Sequence, residues 1–155
     1  MTVVCELPAD RQRGDPGEGA GWEALADACV DRFGGVATPG AAGMGGVVAA
    51  FDTPTDAIDA GLWLVRDRPG CAPVGVGVHT GEIELASHGL TGPAVPVAVE
   101  VAQSASPGDV RASASVRNLC AGTGFAFHDC DAVTIAGFGD LDLYRVRRRQ
   151  AVVAG

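Results

Sequence analysis

The sequence predicts one α/β domain of the α+β kind, a ferredoxin-like βαββαβ core with extra strands and helices toward its C-terminal end. Three observations carry this. Strand and helix signals alternate along the chain with no internal repeat and no low-complexity tract. Val74, Val76 and Val78 alternate with glycines, as in a strand on which a neighbour packs closely. The chain has 155 residues, 47% apolar and 19% charged, which suits one globular domain. That domain is expected over residues 1–155, with a loop at 8–20 and a flexible tail at 148–155.

Thr2–Leu7 is short and β-rich and stops at Pro8, a first strand. Pro8–Ala20 is rich in Gly, Pro and charge and reads as a long loop. Trp22, Leu25, Cys29, Val30 and Phe33 recur at helical spacing, and Gly34-Gly35 stops that helix. Gly46–Phe51 is apolar throughout, like a buried strand. Asp52–Asp56 opens a helix through Ile58, Leu62 and Val65, with acids in the turn that favours them. Pro73–His79 is the next strand, and Glu82–Leu85 is expected to return beside it after the Thr80-Gly81 turn. Val95, Ala98, Val99 and Ala102 mark another helix, with Pro96 in its first turn, where a missing N–H is tolerated. A strand at Gly108–Ala112 and a short helix at Ser113–Leu119 follow. The last strands are Phe125–His128, Ala132–Ile135 and Leu141–Val146.

Charge and cysteine content narrow the function. The formal net charge is −8, and Lys is absent. Nucleic-acid affinity rests on basic residues that neutralise phosphate, so no nucleic acid is expected as partner. Arg145, Arg147, Arg148 and Arg149 are the exception, a basic run able to touch RNA, DNA or anionic lipid but read as a solvated strand end. No apolar stretch approaches a membrane span. Five cysteines, with no CxxC pair and no leader pattern before Cys5, read as reduced thiols of a cytoplasmic protein. His128-Asp129-Cys130 offers two metal ligands with no second pair, so no metal is expected. Gly40–Gly46 lacks the ending of a phosphate loop and reads as a plain turn.

Several stretches in order resemble the class III adenylate and guanylate cyclase domains. Gly34-Gly35, then Val47–Phe51 and Thr53–Ala57, is similar to the family's first helix end, metal-binding strand and second helix. Val76–Glu82 resembles its hairpin signature, and Gly92–Val95 the opening of its catalytic helix. Ala105–Val110, Ile135–Phe138 and Leu143–Val146 resemble its later segments. The resemblance spans about residues 34–147 and implies the cyclase catalytic-domain fold.

The same resemblance implies a site across a dimer. Two metal-holding Asp residues come from one subunit. An Asn and an Arg on a helix come from the other, and a Lys with a second polar residue reads adenine. Here the first acid falls on Glu6, or on Asp10 if the loop is realigned. The second falls near Met44-Gly45, and no charged residue lies anywhere from Phe33 to Phe51. The Lys is missing from that same stretch. The Asn position falls on Pro96 and the Arg position on Glu100, which reverses the charge facing a triphosphate. No catalytic residue and no cofactor is therefore expected, the degenerate positions being Glu6, Gly45, Pro96 and Glu100. Losing one positioned electrostatic group costs about 10²–10³ in rate.

The first reading is a pseudo-cyclase: a homodimeric regulatory or scaffold domain with a possible protein partner. The second is a sensor whose small-molecule ligand sits among Cys5, Glu6, Leu7, Met44, Gly45, Pro96 and Glu100. The third is a repurposed enzyme using Glu6, Glu100, Asp10 or His79. Glu100 is equally read as a new functional group or a solvated helix face. His79 is read as packing at a strand end.

Overall fold

A computed structural model describes residues 2–8, 19–39, 47–66, 74–87, 89–135 and 137–149, with 2–8, 19–25, 39 and 47 described by backbone alone. The strands are β1 (Thr2–Pro8), β2 (Gly35–Pro39), β3 (Val47–Phe51), β4 (Val74–Thr80), β5 (Glu84–Ala86), β6 (Gly89–Thr91), β7 (Val110–Ser113), β8 (Phe125–Asp129), β9 (Val133–Ile135), β10 (Gly139–Leu141) and β11 (Leu143–Arg148). The helices are α1 (Gly19–Phe33), α2 (Pro54–Leu64), α3 (Ala94–Ser104) and α4 (Ala114–Leu119). Seven strands form one sheet in the order β2-β3-β1-β4-β7-β11-β8. Among the described residues no helix is long and apolar enough to cross a membrane.

The expected core is present. β1, α1, β2, β3, α2 and β4 run in βαββαβ sequence, and β2-β3-β1-β4 pair antiparallel throughout. The hairpin inside that core differs from the expected one. It is β2–β3, not a return of Glu82–Leu85 onto β4, because β5 pairs with β6 in a separate ribbon. The physical reason lies in burial. β2 is an edge strand whose Val36 stays 42% exposed, so Gly35–Pro39 carries no apolar alternation to announce it. Glu82 and Glu84 are exposed, so nothing draws their segment onto the sheet.

Other boundaries shift by a few residues. Pro8 belongs to β1 and Gly19 to α1; the rest of the loop expected at 8–20, residues 9–18, lies outside the described residues. The last strand, expected at Leu141–Val146, divides into β10 and β11. β11 continues to Arg148, and the Arg149 N–H donates to the Gly124 carbonyl at 2.8 Å. Residues 40–46 and 150–155 lie outside the described residues.

Two layers cover the sheet, and β4 shows why. Its valines face α2: a Cβ added to Gly61 of α2 would lie 3.1 Å from Val76. Val74, Val76, Val78, Phe51, Ile58, Val110 and Val116 fill this side of the core with almost no exposure. Each such side chain contributes roughly 1.5–3 kcal/mol by leaving water. α2 starts as expected, with Thr53 Oγ1 accepting from the Asp56 N–H at 3.2 Å and Pro54 at the first helical position. Gly34 ends the region of α1 at φ +76°, a conformation glycine adopts without strain. The β4 glycines face α3. A Cβ on Gly77 would lie 2.7 Å from the Ala98 carbonyl oxygen, and one on Gly75 would lie 2.8 Å from that of Ala105. α3 therefore rests almost backbone to backbone on the sheet.

Candidate site around helix α3

α3 is the element that the sequence singles out, and its two faces differ. Ala94, Ala98 and Ala102 point inward with Val48, while Val97 and Val101 pack on Ile135, Leu141 and Leu143. Pro96 is the third helical residue and is exposed; Glu100, one turn on, is half-buried. Residues four apart share a helix face, so Pro96 and Glu100 stand together on the side away from the sheet. Pro96 costs the helix little, since its missing N–H falls in the first turn.

The strand residues of the expected site sit elsewhere. In the β1 register Cys5 is opposite Val48 and Gly77, and Glu6 is opposite Val47 and Val76. Cross-strand partners share a face of the pleat. The backbone position of Cys5 thus belongs to the α3 side with Gly77, and Leu7 joins it opposite Gly75. Glu6 belongs to the opposite side with Val76. Met44 and Gly45 lie outside the described residues, as does Asp10. Within one chain, then, the strand positions lie under the inner face of α3 or across the sheet from it. Pro96 and Glu100 face outward. One chain alone does not bring these two groups together.

Two ribbons flank α3. Ile83 and Leu90, at the β5–β6 ribbon, pack with Val95 on one side, and the β9–β10 ribbon packs on Val97 and Val101 on the other. Each ribbon exposes a large apolar side chain: Leu85 is 64% exposed and Phe138 56% exposed.

His79 is a group that sequence reasoning treated as packing, and its surroundings agree. It ends β4 at 5% exposure, and its Nδ1 shares a 2.7 Å hydrogen bond with Oγ of Ser113, itself fully buried. Phe138 meets the imidazole edge-on at 6.3 Å. A buried Ser–His pair resembles a nucleophile and its base, yet Ser113 exposes no surface to a substrate. Burial pushes the His79 pKa below its ordinary 6.5. The native state therefore binds this proton less readily than the unfolded chain does. Stability from His79 is complete above the unfolded pKa and is lost as pH falls from about 6.5 toward the folded value. His79→Gln should remove that contribution. Denaturant melts from pH 7.5 to 5 should show a wild-type slope steeper by at most about 1.4 kcal/mol per pH unit. Parallel slopes for the two proteins would show that His79 plays no such part.

Among the described residues no three His, Cys, Asp or Glu side chains group as a metal site. Cys130 follows β8 and its Sγ donates to the His128 carbonyl at 3.7 Å, a local turn contact. Burial pushes the Cys120 thiol pKa up, away from thiolate reactivity.

No family model matches the sequence, and no curated protein matches it. Solved structures do match in fold. The catalytic core of a rhodopsin-guanylyl cyclase with converted specificity superposes at TM-score 0.77 with 16% identity over 96% of each chain. An adenylate/guanylate cyclase/hydrolase from Silicibacter pomeroyi gives TM-score 0.75 with 17% identity over 94% of each chain. A non-canonical dimeric guanylyl cyclase domain from the aquatic fungus Blastocladiella emersonii gives TM-score 0.71 with 14% identity over 96% of each chain.

Proposed function

We propose that this chain, which has the fold of the class III nucleotidyl cyclase domains, is a non-catalytic, homodimerising regulatory domain. The observation that carries the reading is the outer face of α3. Where that fold's chemistry calls for an amide and a cation, this helix presents Pro96 and Glu100. A triphosphate approaching Glu100 meets like charge instead of a guanidinium, and Pro96 has no side-chain donor or acceptor. The segment from Phe33 to Phe51 supplies neither the second carboxylate nor the Lys. The frame, by contrast, is intact, including the close α3–β4 contact.

The dimer reading rests on the same helix. A partner laid on the outer face of α3 would also reach the two flanking ribbons, which expose Leu85 and Phe138. It would bring the partner's strand positions toward Pro96 and Glu100, which one chain alone does not do.

The test joins chemistry to assembly. With Mn²⁺ and ATP or GTP, the purified protein is expected to form no cyclic nucleotide and to gain no thermal stability. Sedimentation at rising concentration is expected to show a dimer, and Glu100→Arg is expected to shift its dissociation constant by about tenfold, as a charge reversal in an interface does. Cyclic product, or a nucleotide shift that needs Mn²⁺, would overturn the non-catalytic reading. A strict monomer would overturn the dimer. Stabilisation by another metabolite would move the reading to a small-molecule sensor at this cleft.

A further inference from the structure

The described arginines on and beside the late strands fall into two groups. On the α2 side of the sheet they are engaged. Arg148 pairs with Asp59 and stacks over the Phe125 ring at 5.5 Å, and Arg117 stacks over the Tyr144 ring at 4.7 Å. On the α3 side one loose ion pair, Arg145 with Asp109, is the engagement seen among the described residues. Arg111 of β7 stands directly opposite Arg145 of β11, and Arg145 stands directly opposite His128 of β8. Arg147 follows two residues along the same face. The other end of this row is Gly77, which α3 covers, so the helix forms a wall beside Arg111.

Two like charges directly opposite on neighbouring strands destabilise a sheet. Little here offsets that. The Nε atoms of both Arg111 and Arg145 are buried with no hydrogen-bond partner. Asp109 Oδ1 lies 3.5 Å from Arg145 Nε, an ion pair without a hydrogen bond, and the Arg145 side chain as a whole is 39% exposed. No carboxylate among the described residues makes an ion pair with Arg111. A buried Nε–H without an acceptor is costly, and an anion held by the half-exposed guanidinium groups accounts for keeping both.

We propose that Arg111, Arg145 and Arg147, with His128 at the rim, bind a phosphate group. Strands about 4.8 Å apart let two guanidinium forks reach the oxygens of one tetrahedral anion. The row is too short for a nucleic-acid backbone, which needs many such contacts, and the domain's net charge of −8 repels an extended polyanion. This site lies beyond the α3 outer face and does not depend on the domain being catalytically inert.

The test is thermal unfolding in inorganic phosphate and pyrophosphate against chloride at matched ionic strength, with calorimetric titration of the same anions. At ten times the dissociation constant the midpoint should rise by about 4 °C. Arg111→Gln and Arg145→Gln should each weaken binding at least about tenfold, since each removes one charged fork. Arg147→Gln, an exposed change that leaves the sheet interior alone, should weaken it less. Arg148→Gln, on the other face, should leave the shift intact. Absence of any shift beyond chloride would overturn the proposal. So would a shift that survives the double change of Arg111 and Arg145 in a protein whose circular dichroism is native. If that double variant fails to fold, a phosphate response unaffected by Arg147→Gln overturns it equally.

Discussion

Gly77→Ala is expected to destabilise the domain by about 3 kcal/mol or more, at the upper end of what overpacking one methyl costs. The added Cβ would overlap the Ala102 backbone nitrogen and approach the Ala98 carbonyl oxygen to 2.7 Å. Both neighbours are helix backbone, so no side chain can rotate away. α3 must lift off β4, and the packing of Ala98 and Ala102 on the sheet opens with it. Gly124 is the matched control. A Cβ there meets nothing within 4 Å and its φ is not positive, so Gly124→Ala should stay within about 0.5 kcal/mol. Denaturant melts of the two variants decide the matter. Equal midpoints would show that α3 does not sit as closely as described. Because α3 carries Pro96 and Glu100, Gly77→Ala should also weaken the dimer proposed above.

Phe51→Ala is expected to cost about 3–5 kcal/mol, the usual range for removing a fully buried ring. Phe51 is 0% exposed, at the end of β3, among Ile58, Ala57 and Val78 of the core. Its ring also lies where a Cβ on Gly35 would be, 2.6 Å from that position, so it packs on the backbone of the edge strand β2. Removing the ring leaves a cavity and loosens that edge. Against a total stability of roughly 5–15 kcal/mol, the loss is large. The melting midpoint should fall by roughly 10 °C. Limited proteolysis should then cut within Gly35–Pro39 sooner than in the native protein. An unchanged midpoint would place Phe51 outside the core.

Strong patterns in the chain predicted most of the fold, and weak ones failed for a physical reason. The Val-Gly alternation of β4 foretold both a strand and a close neighbour, because the valines and glycines serve opposite faces. Thr53-Pro54 foretold the start of α2, because capping is local chemistry. Gly35–Pro39 was missed as a strand, and Glu82–Leu85 was misplaced as a core hairpin. The first is a short, half-buried edge strand and the second a short, largely exposed segment, so burial leaves little mark on their composition. The site was legible in residue identity but not in placement. That Pro96 and Glu100 stand four residues apart on one helix is visible in the sequence; that they take the places of an amide and a cation is what the family resemblance implies. That Cys5 takes the α3 face of the sheet and Glu6 the other follows only from the β1 register.

The sequence by itself determined the fold class, the acidic character, the absence of charge between Phe33 and Phe51, and the spacing of Pro96 and Glu100 on one helix. These rest on composition and local periodicity, which neighbouring residues settle among themselves. The tertiary structure alone decided which strands pair, that α3 turns Pro96 and Glu100 outward between two ribbons, and that His79 meets Ser113. It alone also set Arg111, Arg145 and His128 in one cross-strand row, joining residues up to 34 positions apart through the pairing of β7, β11 and β8. Such contacts depend on strand register and on which face of the sheet each element covers. Both are settled by burial of the whole chain at once, not by any short stretch of it.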